Sequence, residues 1–87
     1  MRMDGALMII IQQQVEWYRE AAESGHTSAQ FNLGVMYENG RGVDKDDSSA
    51  VEWYREAAEL HHADAQFNLG VMYENGWGVD KDDSSAS

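Results

Sequence analysis

Val51-Glu-Trp-Tyr-Arg-Glu-Ala-Ala-Glu59 occurs a second time, residue for residue, as Val15 to Glu23, 36 positions earlier. The register then holds to the end of the chain. Laid side by side, residues 15–50 and 51–86 differ only at Ser24/Leu60, Gly25/His61, Thr27/Ala63, Ser28/Asp64 and Arg41/Trp77. Self-similarity at a fixed period of roughly 20–50 residues marks a stacked repeat array, in which each unit buries its apolar face against a neighbour.

Within the repeated stretch, Ala50, Trp53, Tyr54, Ala57 and Ala58 fall at i, i+3, i+4, i+7 and i+8, the apolar stripe of an amphipathic helix. Glu52, Arg55, Glu56 and Glu59 take the other side, and Arg55 is placed to pair with Glu52 and Glu59 at helical spacing. The first copy of this helix is predicted over about residues 8–24. Its apolar pattern continues upstream through Leu7, Met8 and Ile9-Ile10-Ile11. Leu7, Ile10, Ile11, Gln14 and Tyr18 share a helical face, so the extension is expected to cover the open end of the stack. A strand is the alternative for Met8 to Ile11, because β-branched residues favour one. Gly25 can close the first copy in the left-handed conformation. His61 holds the same place in the second copy and predicts a strained turn.

A second helix follows in each copy, over about 28–39 and 64–75, reading Ala-Gln-Phe-Asn-Leu-Gly-Val-Met-Tyr-Glu-Asn both times. Gly34 and Gly70 lie in its middle, where glycine costs about 1 kcal/mol relative to alanine. Close approach of a neighbouring backbone, opposite the small Ala57 and Ala58, is the expected compensation. Asn39-Gly40 and Asn75-Gly76 stop the helix. In the loop that follows, Gly42 is a second flexible point, Val43 an anchor, and Asp46 a good N-cap for the next helix. Residues 1–14 form an extension, 15–50 the first repeat and 51–86 the second, with the start of a third unit at 76–87. The near-identity predicts equivalent surroundings for Trp17 and Trp53. About three units are usually needed for a stable stack. The chain therefore reads as a segment of a longer array, or as one that completes itself by association through Leu7, Ile10 and Ile11 at one end and Leu69, Tyr73 and Trp77 at the other.

Composition narrows the partners. Six Lys+Arg stand against sixteen Asp+Glu, a formal charge of −10. Such a surface repels nucleic acid and anionic membranes and suits basic partners or plain solubility. There is no cysteine, hence no disulfide and no thiolate metal site. The longest apolar run, Ala6 to Ile11, is far too short to span a membrane. With the acid of Asp4 and no small-residue cleavage site before Gln12, it does not make a signal peptide, and the chain as given reads as cytoplasmic. His61, His62, Asp64 and Glu59 cluster at a turn, but adjacent histidines rarely point the same way, so no metal site is expected. The segment starting at Asp44 lacks the glycine of a calcium loop at its sixth position and has Arg55 where the bidentate Glu belongs. No nucleophile elbow, phosphate-cradling loop or cofactor motif is present.

The pattern A-x-x-x-L-G-x-x-Y-x-x-G-x-G-V-x-x-D-x-x-x-A-x-x-W-Y-x-x-A-A-E resembles the SEL-one-like repeat, a relative of the tetratricopeptide repeat. It is carried here by Ala29, Leu33, Gly34, Tyr37, Gly40, Gly42, Val43, Asp46, Ala50, Trp53, Tyr54, Ala57, Ala58 and Glu59. Ala65, Leu69, Gly70, Tyr73, Gly76, Gly78, Val79 and Asp82 carry it a second time. The period of 36 and the Gly-x-Gly-Val loop separate it from the ~34-residue relative. Ser49 and several positions where the family carries Lys or Arg depart from the pattern. The resemblance implies an all-α, right-handed superhelix of antiparallel helix pairs, about four helices here, and a non-enzymatic adaptor role such as bacterial members play. It also implies that the Leu-Gly helix lines the concave face. Leu33, Met36 and Tyr37 then point into the stack. Phe31, Val35, Glu38 and Asn39, with Phe67, Val71, Glu74 and Asn75, form either a groove for a basic peptide or partner protein, or ordinary packing between helices. Trp77, in place of Arg41, either caps the open end, meets a second chain in a homodimer, or is an exposed loop residue. Cysteine-rich relatives with β-lactam activity are the enzymatic alternative, which the absence of cysteine disfavours.

Overall fold

The computed structural model describes residues 3–79. Four helices follow one another: α1 (Met3–Glu23), α2 (Thr27–Asn39), α3 (Asp47–Glu59) and α4 (Ala63–Asn75), with no strand among the described residues. The isoleucine run is helical, and α1 begins about one turn earlier than its pattern predicts. The restart of a third unit lies outside the described residues beyond Val79.

All four helices end alike. The amide two residues past the last turn reaches back five residues: His26 N–H donates to Ala21 O (2.9 Å), Arg41 to Met36 O (2.9 Å), His62 to Ala57 O (3.1 Å) and Trp77 to Met72 O (2.9 Å). This bond requires a left-handed residue just before it. Gly25 supplies it after α1 at φ +95°; after α3 it falls to His61, at φ +70° the sole non-glycine residue with positive φ among those described. A β-carbon in that region costs about 1–2 kcal/mol, so the strained turn expected at His61 is present. The turns after α1 and α3 each lead directly into a histidine N-cap. His26 Nδ1 accepts from Ala29 N–H (3.2 Å) and His62 Nδ1 from Ala65 N–H (3.1 Å). Sequence reading did not identify these caps.

Asp46 caps α3 as expected. Its carboxylate accepts from the Ser49 hydroxyl (2.9 Å) and from the amides of Ser48 (3.1 Å) and Ser49 (3.3 Å). The Ser49 hydroxyl, first, and then the two amides hold its pKa below the ordinary value of 3.8. A group depressed in the folded state stabilises above its unfolded pKa and loses that contribution as pH falls through the folded one. Asparagine keeps a capping acceptor but has no charge to titrate. Thermal melts followed by circular dichroism should therefore show wild type ahead of Asp46→Asn at neutral pH, with the gap closing below about pH 4. A gap that stays constant with pH would remove this role from the carboxylate.

The core is built in two interleaved parts. The first gathers Val15, Ala22, Ala29, Leu33 and Met36 from α1 and α2, and Trp53 of α3 packs onto it. The second gathers Ala50, Val51, Tyr54, Ala57, Ala65 and Met72 from α3 and α4, and Phe31 and Val35 of α2 pack onto that. Each hairpin is thus completed by a helix of the other, as a stacked array requires. Gly42 seats the first loop against α1 so closely that a Cβ there would meet Ile11 Cγ2 at 2.5 Å and Val15 Cγ2 at 2.7 Å. Val43 is anchored in the first core beside it.

Four expectations need correction. Trp17 and Trp53 do not share surroundings: Trp53 is half-buried on the first core, whereas Trp17 is 69 % exposed. The duplication holds for the backbone, but no unit among the described residues stands before α1 to cover Trp17. Leu7 and Ile10 cover nothing, at 56 % and 62 % exposure; of that face Ile11 packs against Gly42 and the first core, and Tyr18 against the first core. Gly34 lies opposite the Tyr54 ring and the Ala50 carbonyl, not opposite Ala57 and Ala58. Arg55 makes no ion pair with Glu52 or Glu59; its guanidinium donates to the Tyr73 hydroxyl across the α3–α4 hairpin, as Arg19 donates to Tyr37 (3.1 Å) across α1–α2.

Candidate functional site

The surface of α2 divides into two strips. One is the seam with α3. Phe31 lies here, its ring stacked on His62 (centroids 4.8 Å apart) and tilted against Tyr54 (5.6 Å). Two turns further along α2, the Tyr54 hydroxyl donates to Glu38 Oε1 at 2.7 Å. Tyr54 is fully buried. Burial, and then the hydrogen bond and charge of Glu38, push its pKa well above the ordinary 10. The Glu38 carboxylate is consequently occupied by the fold.

The other strip is a groove. Apolar Val35 and Met36, the amides of Gln14, Asn32 and Asn39, and Tyr18 and Arg41 line it, around a cavity of about 160 Å³. That is on the order of five water volumes, and below the ~300 Å³ at which small-molecule sites begin. It has room for a side chain of a partner and little more. Asn39 Nδ2 donates to Val35 O (3.0 Å), and Asn75 Nδ2 repeats this with Val71 O (2.9 Å). Each amide is thus held in place with its Oδ1 left to accept.

The eight groove positions read from sequence therefore separate. Val35 and Asn39 line the groove, Val35 while also packing against the second core. Phe31 and Glu38 are turned into the seam, the packing alternative for those two. On α4 the equivalents meet no further helix: Phe67 is 71 % exposed, Glu74 and Asn75 are exposed, and Val71 is half-buried. Tyr73 and Trp77 are exposed at the same end, while Leu69 is half-buried against the second core. No group of acidic or histidine side chains suited to hold a metal ion occurs among the described residues. Asn32, Gln14 and Arg41 are groove residues that sequence reading missed. Only the pairing of α1 with α2 brings them together, and no periodicity within one helix announces it.

A family profile described as Sel1 repeat matches residues 15–26, 27–62 and 63–86. Its unit begins at the Leu-Gly helix, so its phase is shifted from a division at 15–50 and 51–86, with the same period. Among solved structures, a Sel1 repeat protein from Oxalobacter formigenes is 45 % identical, with a TM-score of 0.79 over 82 % of this chain and 29 % of that one. The protein c5321, a protective antigen of uropathogenic Escherichia coli strains displaying an SLR fold, is 49 % identical, with a TM-score of 0.80 over 83 % of this chain and 15 % of that one. The chain thus spans less than a third of the length of either. No curated protein matches it.

Proposed function

We infer, from the premise that this chain belongs to the Sel1 repeat family, that it is a non-enzymatic scaffold holding an extended segment of a partner protein along α2 and α4. Sel1 repeats serve in general as protein-interaction scaffolds. The observation that supports the reading here is the groove beside α2, sized for one side chain and lined by three amides of which Asn39 is held in place. An asparagine whose Nδ2 is already engaged presents its Oδ1 to a main-chain N–H, the recognition an extended segment offers at every residue. Val35 takes an apolar side chain. A basic side chain further along pairs with Glu74, whose carboxylate is exposed, and not with Glu38, which Tyr54 holds. The net charge of −10 favours such a partner and speeds its encounter.

An array of extended basic peptides, probed with the purified chain, tests this. Asn39→Ala combined with Asn75→Ala should weaken binding about 5- to 150-fold, at roughly 0.5–1.5 kcal/mol per lost hydrogen bond. Glu74→Gln should weaken chiefly the lysine- and arginine-bearing peptides. Phe67→Ala probes the exposed aromatic without touching the seam, which Phe31→Ala would disturb. Binding that survives the double asparagine variant unchanged removes the groove from consideration.

A further inference from the structure

We propose that copies of this chain join head to tail, the α4 face of one covering the α1 face of the next as α2 covers α3 within each copy. Inside the molecule that seam is already closed. The Tyr54 ring fills the space above Gly34, where a Cβ would stand 2.7 Å from Cδ1 and Cε1. Phe31 lies against the ring and Glu38 accepts from the hydroxyl. Trp53 packs on the first core beside it.

Both halves of the same seam are present a second time, at opposite ends. Residues 65–75 of α4 are identical to 29–39 of α2, and residues 15–23 of α1 are identical to 51–59 of α3. Neither half is covered among the described residues. Phe67 is 71 % exposed and Trp17 69 %. Nothing lies within 4 Å of the place a Cβ at Gly70 would take. A second copy therefore places its Tyr18 ring above Gly70, its Tyr18 hydroxyl on Glu74, and its Trp17 on Leu69 and Tyr73. The occupant follows from the duplication: the surface that fits α2 inside the molecule is the surface α1 presents outside it.

Two features make this contact weaker than the internal seam. Gln14 stands where the fully buried Ala50 stands in α3, and must swing aside. Both copies also carry −10, so screening by salt favours the contact. Because the two faces differ, the interface is heterologous and does not close on itself; copies add one after another. The contact covers Phe67 and Glu74, so a second copy and a peptide compete for α4; the two sets of variants are different, so either reading can fail alone.

Sedimentation velocity on the intact chain, over a range of concentrations in about 1 M salt where the Debye length shrinks to ~3 Å, should show mass growing with concentration. Gly70→Ala, which meets empty space in the monomer and a tyrosine ring in the contact, should weaken association about ten- to a hundredfold. Trp17→Ser should do the same from the other end. Melts of both variants verify that they are folded. Mixed together, the two should form dimers and stop there, since each retains the half the other lacks. A wild type that stays monomeric throughout, a variant that associates like wild type, or a mixture that stays monomeric overturns the proposal.

Discussion

Tyr54→Ala should abolish cooperative unfolding, whereas Tyr18→Ala, at the equivalent position 36 residues earlier, should leave a folded chain. Tyr54 is fully buried and stands where both hairpins meet. Truncating a buried aromatic to alanine costs about 3–5 kcal/mol. A chain of this length holds only about 4–13 kcal/mol in all, at roughly 0.05–0.15 per residue. The same change also strips Glu38 of its donor and Phe31 of one ring neighbour. Tyr18 is only half-buried, with no second unit above it, and loses far less. Tyr54→Phe separates the hydroxyl from the ring and should cost about 1–3 kcal/mol at neutral pH, as expected for a hydrogen bond to a charged group. It should also flatten the alkaline response. The Tyr54 pKa is raised in the folded state, so its stabilisation is complete below the unfolded value of 10 and is lost as pH climbs above it. Phenylalanine has nothing to ionise. Guanidinium titrations of the variants at neutral pH and above pH 10 measure all of this. Equal losses for the Tyr18 and Tyr54 alanine variants would mean that α2 and α3 do not share a core.

How far the residues alone carry the fold follows from where each signal lies. The 36-residue duplication, the amphipathic spacing of Ala50, Trp53 and Tyr54, the stop at Asn39-Gly40 and the Asp46 cap are local in sequence, and each appears where it was read. The strain at His61 was legible too, because Gly25 in the other copy shows what that turn requires. The side-chain network was not. Arg55 has carboxylates at helical spacing on its own helix, yet it donates to Tyr73 on the next. Glu38 reads as a free acid until the fold brings Tyr54 beside it. Trp17 and Trp53 sit in identical nine-residue words, and only the neighbour tells them apart. A repeat announces its internal contacts; it does not say which copies are covered. The groove was half visible for the same reason: Val35 and Asn39 follow from the face of α2, while Gln14 and Arg41 enter from other elements.

One substitution, made at two equivalent glycines, should change stability in opposite directions. Alanine is the better helix former by about 1 kcal/mol, and both Gly34 and Gly70 lie inside helices. At Gly70 the new methyl meets nothing within 4 Å, so most of that gain should be realised. At Gly34 it would stand 2.7 Å from two ring carbons of Tyr54 and 3.3 Å from the Ala50 carbonyl oxygen. The carbonyl belongs to the helical backbone of α3 at the fully buried Ala50 and cannot retreat without moving α3. The ring cannot turn away without breaking the bond from its hydroxyl to Glu38. Overpacking of this kind costs about 1–3 kcal/mol, which exceeds the propensity gain over most of its range. Gly34→Ala should therefore fall below wild type and Gly70→Ala rise above it. At about 4–8 °C per kcal/mol for a domain of this size, the two midpoints should differ by roughly 10 °C. Melts should be run dilute, so that no contact between copies contributes. Two variants stabilised alike would place open space above Gly34 as well, and α2 could then not lie against Tyr54; two destabilised alike would mean that something also fills the space above Gly70.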